Sequence, residues 1–598
     1  MLIDHAFTIN KRPLPWTKAI SAGICSGIPV LVGLLAGKFE YGLMAGIGSF
    51  TYLYVFNIPY AQRAKKLFFA LLGMSISVGL GTLLAPFPIA SALVVGLIGA
   101  IATFIFGALR IAGPAAIFFV LGFAMATGMA IDPSLAPFRA GLVSLGGGLA
   151  WVIGMVGWLR NPYGPEIIAI KKTYQDLAHY IDSVGTNRSD ETKRRLVSTF
   201  KSTEDTLSAG YAAWRSSEPY IQLILLYERA NEIFVGVLDK NEMVPPQLLT
   251  AIRNIAVEEL IKEPLGEIDH EINISKPSLK RIFNDSFNRS SLVLLTAIRY
   301  GVVLSIAAIV AYSFDFNRSY WITLSCAAVM SGSSIISTFH RAIQRSLGTV
   351  VGILIATIIL FLHPEGIVIV IAIVILTFLT ELAIVLNYAI AVLFITPNAL
   401  LLAESTTPLQ HAAYFTTARI TDVVIGSVIG LIGTLLIGRR QASGLLSDLM
   451  VQTIRSQQQY LFLLFSKHRT GLDFKPFLER NAMKTHSNNL RLVYTTALGE
   501  MPSRKIALES FNPAIDSIEH LGYLLEACQK YADRPTLSDE SLAQLLLVFE
   551  TMAAAIEHRY PLSMKHVPEI QAFSKIQQEI IHLQKHIQMI TAQSESIP

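Results

Sequence analysis

The 598-residue sequence is poor in cysteine and poor in charge, and each shortage excludes something. Cys25, Cys326 and Cys528 lie far apart, giving neither a disulfide framework nor a zinc pattern, which suits a reducing compartment. Charged residues make up 15% of the chain, against about 25% in average globular usage. With a mean hydropathy of +0.50, a wholly soluble protein is excluded. The formal charge of +5 is small for this length and gives no reason to expect nucleic acid as a partner. Catalytic signatures are missing as well: no GxSxG, HExxH or CxxC occurs. The nearest approach to a phosphate-binding loop, GLLAGKF at Gly33–Phe39, has one residue too few between its glycines and no Ser or Thr after Lys38. ATP-driven transport is therefore not expected, nor is an enzyme, and no cofactor is implied. His582 and His586 stand four apart, but without a third ligand nearby they read as a solvated helix face rather than a metal site. The lead-in MLIDHAFTINKRPLPW is polar and basic, with no cleavage site after the first apolar run, so the first helix is expected to be retained.

What the sequence does have is long apolar runs. A membrane helix needs about 20 largely apolar residues. The first block offers Ala19–Gly37, Tyr41–Asn57, Leu67–Ala85, Ile89–Leu109, Ile111–Ile131 and Ala140–Leu159, and a second offers Leu292–Tyr312, Tyr320–Ser337, Leu347–Leu362, Gly366–Thr380, Leu386–Ala403 and Thr407–Gly438. Each is followed by a segment mixing charge with apolar positions at helical spacing. The expected architecture is all-α: a six-helix transmembrane repeat over 1–160, a cytoplasmic helical domain over 161–290, a second six-helix repeat over 291–440 and a C-terminal cytoplasmic helical domain over 441–598. The tail carries Phe573, Ile576, Ile580, Leu583, Ile587 and Ile590, three and four apart. That seam is too short for a convincing coiled coil and is expected to pack within its own domain.

Basic residues set the orientation. Lys11, Arg12, Lys18, Arg63, Lys65, Lys66, Arg110 and Arg160 fall on one side, with Lys38 and Arg139 opposite, so both termini are expected in the cytoplasm of a bacterial inner or plasma membrane. The blocks look like a duplication, because Arg139 and Arg160 have counterparts in Arg419 and Arg440 at one offset, 419 − 139 = 280 and 440 − 160 = 280. Both have a basic loop after the second crossing, AQRAKK and HRAIQR. Repeats of equal orientation are related by an axis along the membrane normal and place a substrate path between them. GLMAG, GTVVG, GSVIG and Gly146–Gly148 read as close-packing positions between helices. Charges inside or beside crossings are costly in hydrocarbon and face a partner or water. Arg139, Arg299, Arg341, Arg345 and Arg419 are the candidates for an anion path, with Tyr320 and Trp321 as ring-stacking or interfacial residues, and Asp422 and Glu381 as proton-coupling carboxylates. Asp422 shares a helix face with Arg419, three residues away.

Over Tyr320–Gly352 the sequence resembles the fusaric-acid-resistance and aromatic-acid exporter family, the FUSC-like proteins. Tyr320, Trp321 and Leu324 fill its opening segment, Arg341 and Arg345 its spaced arginines, and Leu347, Gly348, Thr349 and Gly352 the segment that follows. In the first block EYGLMAGIG stands where that opening would be, and the basic spacing differs. The resemblance implies efflux of organic anions, notably aromatic carboxylates, driven by the proton gradient. It also brings in the plant malate channels as distant relatives, in which six-helix units pair around a pore. The two halves of this chain would then act as one such pseudo-dimer, and a homodimer stays open. The rival readings are a passive organic-anion channel and a non-transporting scaffold that binds partners through its helical domains. The bilayer and a small organic anion are the partners implied.

Overall fold

The computed structural model describes all residues except 1–5, 11–12, 110, 112, 187, 211–217, 241–245, 258–282, 284–285, 288–290, 315–319, 333, 363, 405–411, 439–440, 467–475, 500–507, 530–533, 572 and 595–598. Lys11, Arg12, Arg110, Arg439 and Arg440 lie outside the described residues. The fold is all-α. The first block holds α1 (Trp16–Leu35), α2 (Phe39–Gly48), α3 (Tyr60–Leu84), α4 (Pro88–Ala108), α5 (Ile117–Thr127) and α6 (Ala136–Arg160). Next come α7 (Gly164–Ser183), α8 (Ser189–Gly210), α9 (Glu218–Lys240) and α10 (Pro246–Val257). The second block holds α11 (Leu292–Ser313), α12 (Tyr320–Met330), α13 (Ile335–Phe361), α14 (Ile367–Leu386), α15 (Tyr388–Glu404) and α16 (Ala412–Gly438). The last segment holds α17 (Gln441–Phe465), α18 (Pro476–Ala497), α19 (Asn512–Gln529), α20 (Asp539–His558) and α21 (Ser574–Ser594).

The chain divides into two compact units, Met1–Pro162 with Leu279–Arg439, and Tyr163–Ser278 with Arg440–Pro598. The first is the membrane unit. Its helices turn apolar stripes outward: Ile20, Ile24, Ile28, Val32 and Leu35 on α1, and Ile89, Leu93, Leu97, Ile101 and Ile105 on α4, are all exposed at helical spacing. Such stripes are stable only against lipid or another apolar surface.

The twelve expected runs do not all form full-length crossings among the described residues. Among the described residues, eight helices are long and apolar enough to cross a membrane: those within α1, α3, α4, α6, α11, α13, α14 and α16. The runs at Ile111–Ile131 and Tyr320–Ser337 instead hold 11-residue helices. Eleven residues rise about 17 Å, roughly half the ~30 Å of hydrocarbon. Local chemistry stops them. Gly113, at a φ of 147°, and Pro114 delay α5, and Gly128 ends it. Beyond α12, Ser334 starts a new helix by a capping box, accepting from the Ser337 amide at 3.2 Å while its own amide donates to Ser337 Oγ at 2.9 Å. The run at Tyr41–Asn57 splits into α2 and a 3-10 turn over Ser49–Tyr54, and α15 is 17 residues with Pro397 inside it. The basic runs AQRAKK and HRAIQR are likewise not loops: the first opens α3 and the second lies in the second and third turns of α13.

The second unit is built on a core of Tyr174, Leu177, Phe200, Leu223 and Phe234, onto which Tyr523 of the last segment packs. Tyr523 donates its hydroxyl hydrogen bond to Asn231 Oδ1. The tail seam is spent inside this unit: Ile576, Ile580, Leu583, Ile587 and Ile590 are buried, with α19 and α20 as the helices α21 packs on. His586 Nδ1 is 3.1 Å from Ser517 Oγ, so it is not a purely solvated side chain, while His582 is exposed. An ionic cluster joins the two segments. Glu204 of α8 accepts from Arg480 at 2.7 Å and Lys484 at 2.8 Å, and Lys484 also lies 3.0 Å from Glu526 of α19. Burial works against the Arg480 charge, yet Glu526 and Glu204 hold its pKa above the ordinary arginine value. Arg480→Met leaves two half-buried carboxylates with one cation between them, a loss of about 2 kcal/mol for a pair part-way between buried and exposed. Amides of α8 and α18 should then exchange with deuterium roughly 30-fold faster in the full-length protein. Unchanged exchange would show the cluster to be a surface ornament.

Candidate functional site

Buried charge in the membrane unit gathers at two places. The first lies where α12 begins. Trp321 is 3% exposed, and the Arg419 guanidinium of α16 lies 3.1 Å from its ring centroid. Asp422, 2% exposed, is on the same helix less than one turn away. Tyr320 packs beside Trp321 with ring centroids 4.9 Å apart, and a Cβ on Gly128 would come within 2.6 Å of the Tyr320 ring. The end of α5 is thereby closed against the start of α12. Two residues beyond Gly128, the Ala130 carbonyl accepts from Arg139 Nη2 of α6 at 2.9 Å. The two arginines are buried alike but used differently, Arg419 on an indole face and Arg139 on a backbone carbonyl. A guanidinium over a desolvated indole is held by the ring quadrupole while its edge stays able to hydrogen-bond.

The second place is at the opposite end of α6. Arg63, near the start of α3, donates to the Gly154 carbonyl of α6 at 3.3 Å, about four turns from Arg139. Lys18 Nζ of α1 pairs with Glu381 Oε2 of α14 at 3.0 Å. Lys18 and Lys66 both lie over the Phe56 ring, so α1 and α3 start at one end and the Phe39–Tyr54 segment carries the chain back between them. In the second half, Arg341 donates to Ser331 Oγ and its guanidinium lies 5.1 Å from the Tyr388 ring centroid. Arg345 is 4% exposed, and its Nε finds no acceptor among the described residues. Arg299 is buried in the second turn of α11, beside Tyr300, whose hydroxyl donates to the Ala327 carbonyl of α12 at 3.2 Å. The candidates therefore divide: Tyr320, Trp321, Arg419 and Asp422 come together, with Arg139 at the same end of the unit, whereas Glu381, Arg341 and Arg345 belong to the other end.

A polar joint at that second end escaped the sequence reading. Asn387, between α14 and α15, donates to the carbonyls of Ala6 and Thr8 at 3.0 Å each, and Gln344 of α13 also donates to Ala6. The Asn10 amide donates to the Leu386 carbonyl at 2.9 Å. A short N-terminal strap is thus pinned across three helices. The available signal was an asparagine between two apolar runs, which needs partners in a membrane.

With this geometry in place, comparison with known proteins is informative. A profile described as fusaric acid resistance protein-like matches residues 306–433, which covers most of α11 through α16 and so includes Trp321, Arg341, Arg345, Glu381, Arg419 and Asp422. Over 96% of its length the chain is 39% identical to an uncharacterized membrane protein, YvaC, of Bacillus subtilis strain 168, and covers 96% of that protein. The chain belongs to the fusaric acid resistance protein-like family. An uncharacterized protein of Haemophilus influenzae is 23% identical over 60% of this chain and 51% of its own length. YhfK of Escherichia coli K12, also uncharacterized, is 29% identical over 28% of this chain and 24% of its own. No solved structure matches the chain. Family membership and the eight spans make this a multi-pass membrane protein of a transporter-like family.

Proposed function

We propose that this family member exports small organic anions, aromatic carboxylates foremost, across a bacterial inner or plasma membrane at the expense of the proton gradient. The observation that carries the reading is the Arg419 guanidinium, buried on the Trp321 ring beside the carboxylate of Asp422. One side chain offers a planar cation to an anionic substrate, and its neighbour is a group whose protonation would change that cation's surroundings. The distribution of lysine and arginine supports both termini and the soluble segments facing the cytoplasm.

Helix pairing supports two parallel repeats. In the first block α1 packs on α2, α2 on α6, α3 on α5 and α6, and α4 on α5; in the second α11 packs on α12, α12 on α16, α13 on α15 and α16, and α14 on α15. The partnership is the same when each helix is advanced by ten. Two of the contacts between blocks also exchange, α4 with α11 and α14 with α1, whereas the packing of α5 on α12 is not matched by α15 on α2. A twofold axis between the halves would produce this pattern, and it would place a path between them.

The test is flux from proteoliposomes loaded with 4-hydroxybenzoate or fusaric acid, with and without an imposed pH difference. Gradient-dependent efflux is expected. Efflux that follows only the anion's own electrochemical gradient would make the protein a channel, and no flux would leave a scaffold. Asp422→Asn, which resembles the protonated carboxyl in shape, is expected to keep anion exchange while losing the response to the pH gradient. Unaltered gradient-driven efflux in that variant would remove Asp422 from the mechanism and leave Glu381 as the coupling carboxylate.

A further inference from the structure

The interface between α19 and α21 carries a titratable network that the transport reading does not use. Ser517 Oγ of α19 lies 3.1 Å from His586 Nδ1 of α21, and His520 Nδ1 of α19 lies 2.6 Å from Glu579 Oε2 of α21. Ser517 also hydrogen-bonds Glu579, so one hydroxyl joins the two pairs. Both Ser517 and Glu579 are buried, beside the seam of Ile576, Ile580, Leu583 and Ile587. Asp516 and Glu519 flank the network on α19, held by Arg491 of α18 at 2.6 and 2.7 Å. Lys193 of α8 acts on Glu579, while His582, Glu579 and Asp516 act on His586. Among the described residues, no charged group of α20, the other helix packed on α21, acts on His586. Lys565 does not either; its amide and carbonyl bond the Gln584 side chain.

A serine hydroxyl has one hydrogen to give. With His586 neutral, that hydrogen can go to Nδ1. Once His586 is protonated, Nδ1 becomes a donor and the hydroxyl must turn toward Glu579. The same proton puts a cation at a half-buried position one turn from His582, where two protonated imidazoles repel each other. We infer that the network is a proton-operated latch, which holds α21 on α19 while His586 is neutral and loosens it when His586 takes up a proton. Burial, with His582 second, holds His586 below the ordinary histidine value against the opposite pull of Glu579 and Asp516. Undocked α21 therefore binds the proton more readily than docked α21. The hold is complete above the ordinary histidine value of about 6.5 and is lost as the pH falls below it. Burial raises the Glu579 carboxyl, yet His520, Ser517 and Lys193 together hold it below the ordinary glutamate value, so it stays ionised across that range. α19 also carries Tyr523, whose ring packs on Phe200 of α8 and Phe234 of α9, so the latch bears on the helix that joins the two segments of this unit. An aromatic acid that enters a compartment in its neutral form releases a proton there, which is when export is needed. That connection rests on the export reading; the latch does not.

Hydrogen–deuterium exchange of the full-length protein near pH 7.5 and near pH 5.5, corrected for the intrinsic pH dependence of exchange, tests the latch without any flux. Protection of α21 amides is expected to fall about fivefold on acidification, while that of α20, which packs chiefly on α17, stays level. His586→Asn keeps a polar group for Ser517 in the place of Nδ1 but cannot titrate, so it should hold α21 equally well at both pH values. His582→Gln, at an exposed position, removes the repelling neighbour and should shrink the acid loss. Equal wild-type protection at the two pH values, or an acid loss that survives His586→Asn, would overturn the latch. Should His586→Asn leave α21 unprotected even near pH 7.5, His582→Gln decides: a smaller acid loss supports the latch and an undiminished one overturns it. A working latch in a protein without efflux from liposomes would overturn the export reading alone.

Discussion

Gly146→Val and Gly426→Val are each expected to prevent the membrane unit from assembling, while Gly148→Val leaves it near wild type. A Cβ at Gly146 would lie 1.8 Å from the Ala45 carbonyl oxygen of α2, and one at Gly426 would lie 2.3 Å from the Ile322 carbonyl oxygen of α12. Both obstacles are backbone, so neither helix can give way by a rotamer change. A Cβ at Gly148 meets nothing within 4 Å. Overpacking typically costs about 1–3 kcal/mol and more when backbone must move, so a loss of at least ~3 kcal/mol is expected at the two crowded sites. Thermal unfolding and size-exclusion profiles of the three variants in one detergent would measure it. The positions differ by 426 − 146 = 280, the offset that also relates Arg139 to Arg419. Equal losses would support equivalent long-to-short helix contacts in both blocks, and a tolerated valine at either site would break the equivalence.

Much of this was legible in the sequence, for physical reasons. Apolar runs, their number and the polar segments between them follow from composition and order alone, and the glycine motifs mark close approaches at Gly42, Gly146, Gly348, Gly352 and Gly426, though not at Gly148. Helix ends are another matter. Hydropathy sums residues without seeing where a serine cap or a glycine stops the hydrogen-bond ladder, so the short α5 and α12 were read as full crossings. Partners remote in sequence were equally invisible. Glu381 is matched to Lys18, 381 − 18 = 363 residues away, and no local pattern reports that pairing. Trp321 was read beside Tyr320 and the spaced arginines that follow it, but its companion is Arg419, 419 − 321 = 98 residues on. The expected relation of Arg419 to Asp422 placed both on one helix face, and what it lacked was the aromatic surface on which the arginine is laid.

That surface makes Trp321 the residue whose loss should be felt most in transport. Trp321→Ala removes the ring beneath the Arg419 guanidinium and leaves a buried cation beside Asp422 with one neighbour fewer. A desolvated cation–π contact is worth about 2 kcal/mol. If the contact positions Arg419 for substrate, efflux of 4-hydroxybenzoate should fall on the order of 30-fold, the equivalent of that energy. Trp321→Phe still presents a ring face, weaker than indole, and should keep flux within a few-fold of wild type. Arg419→Lys retains the charge but loses the flat cation that lies on the ring, the geometry on which the proposed carboxylate contact depends, so it should resemble Trp321→Ala rather than Trp321→Phe. The graded order is what separates a positioning role from simple damage, since a folding defect would track side-chain volume and appear in the unfolding temperature. Equal loss in the Phe and Ala variants, with normal unfolding temperatures, would mean that the ring face does not matter and that Arg419 meets its substrate, if at all, without Trp321.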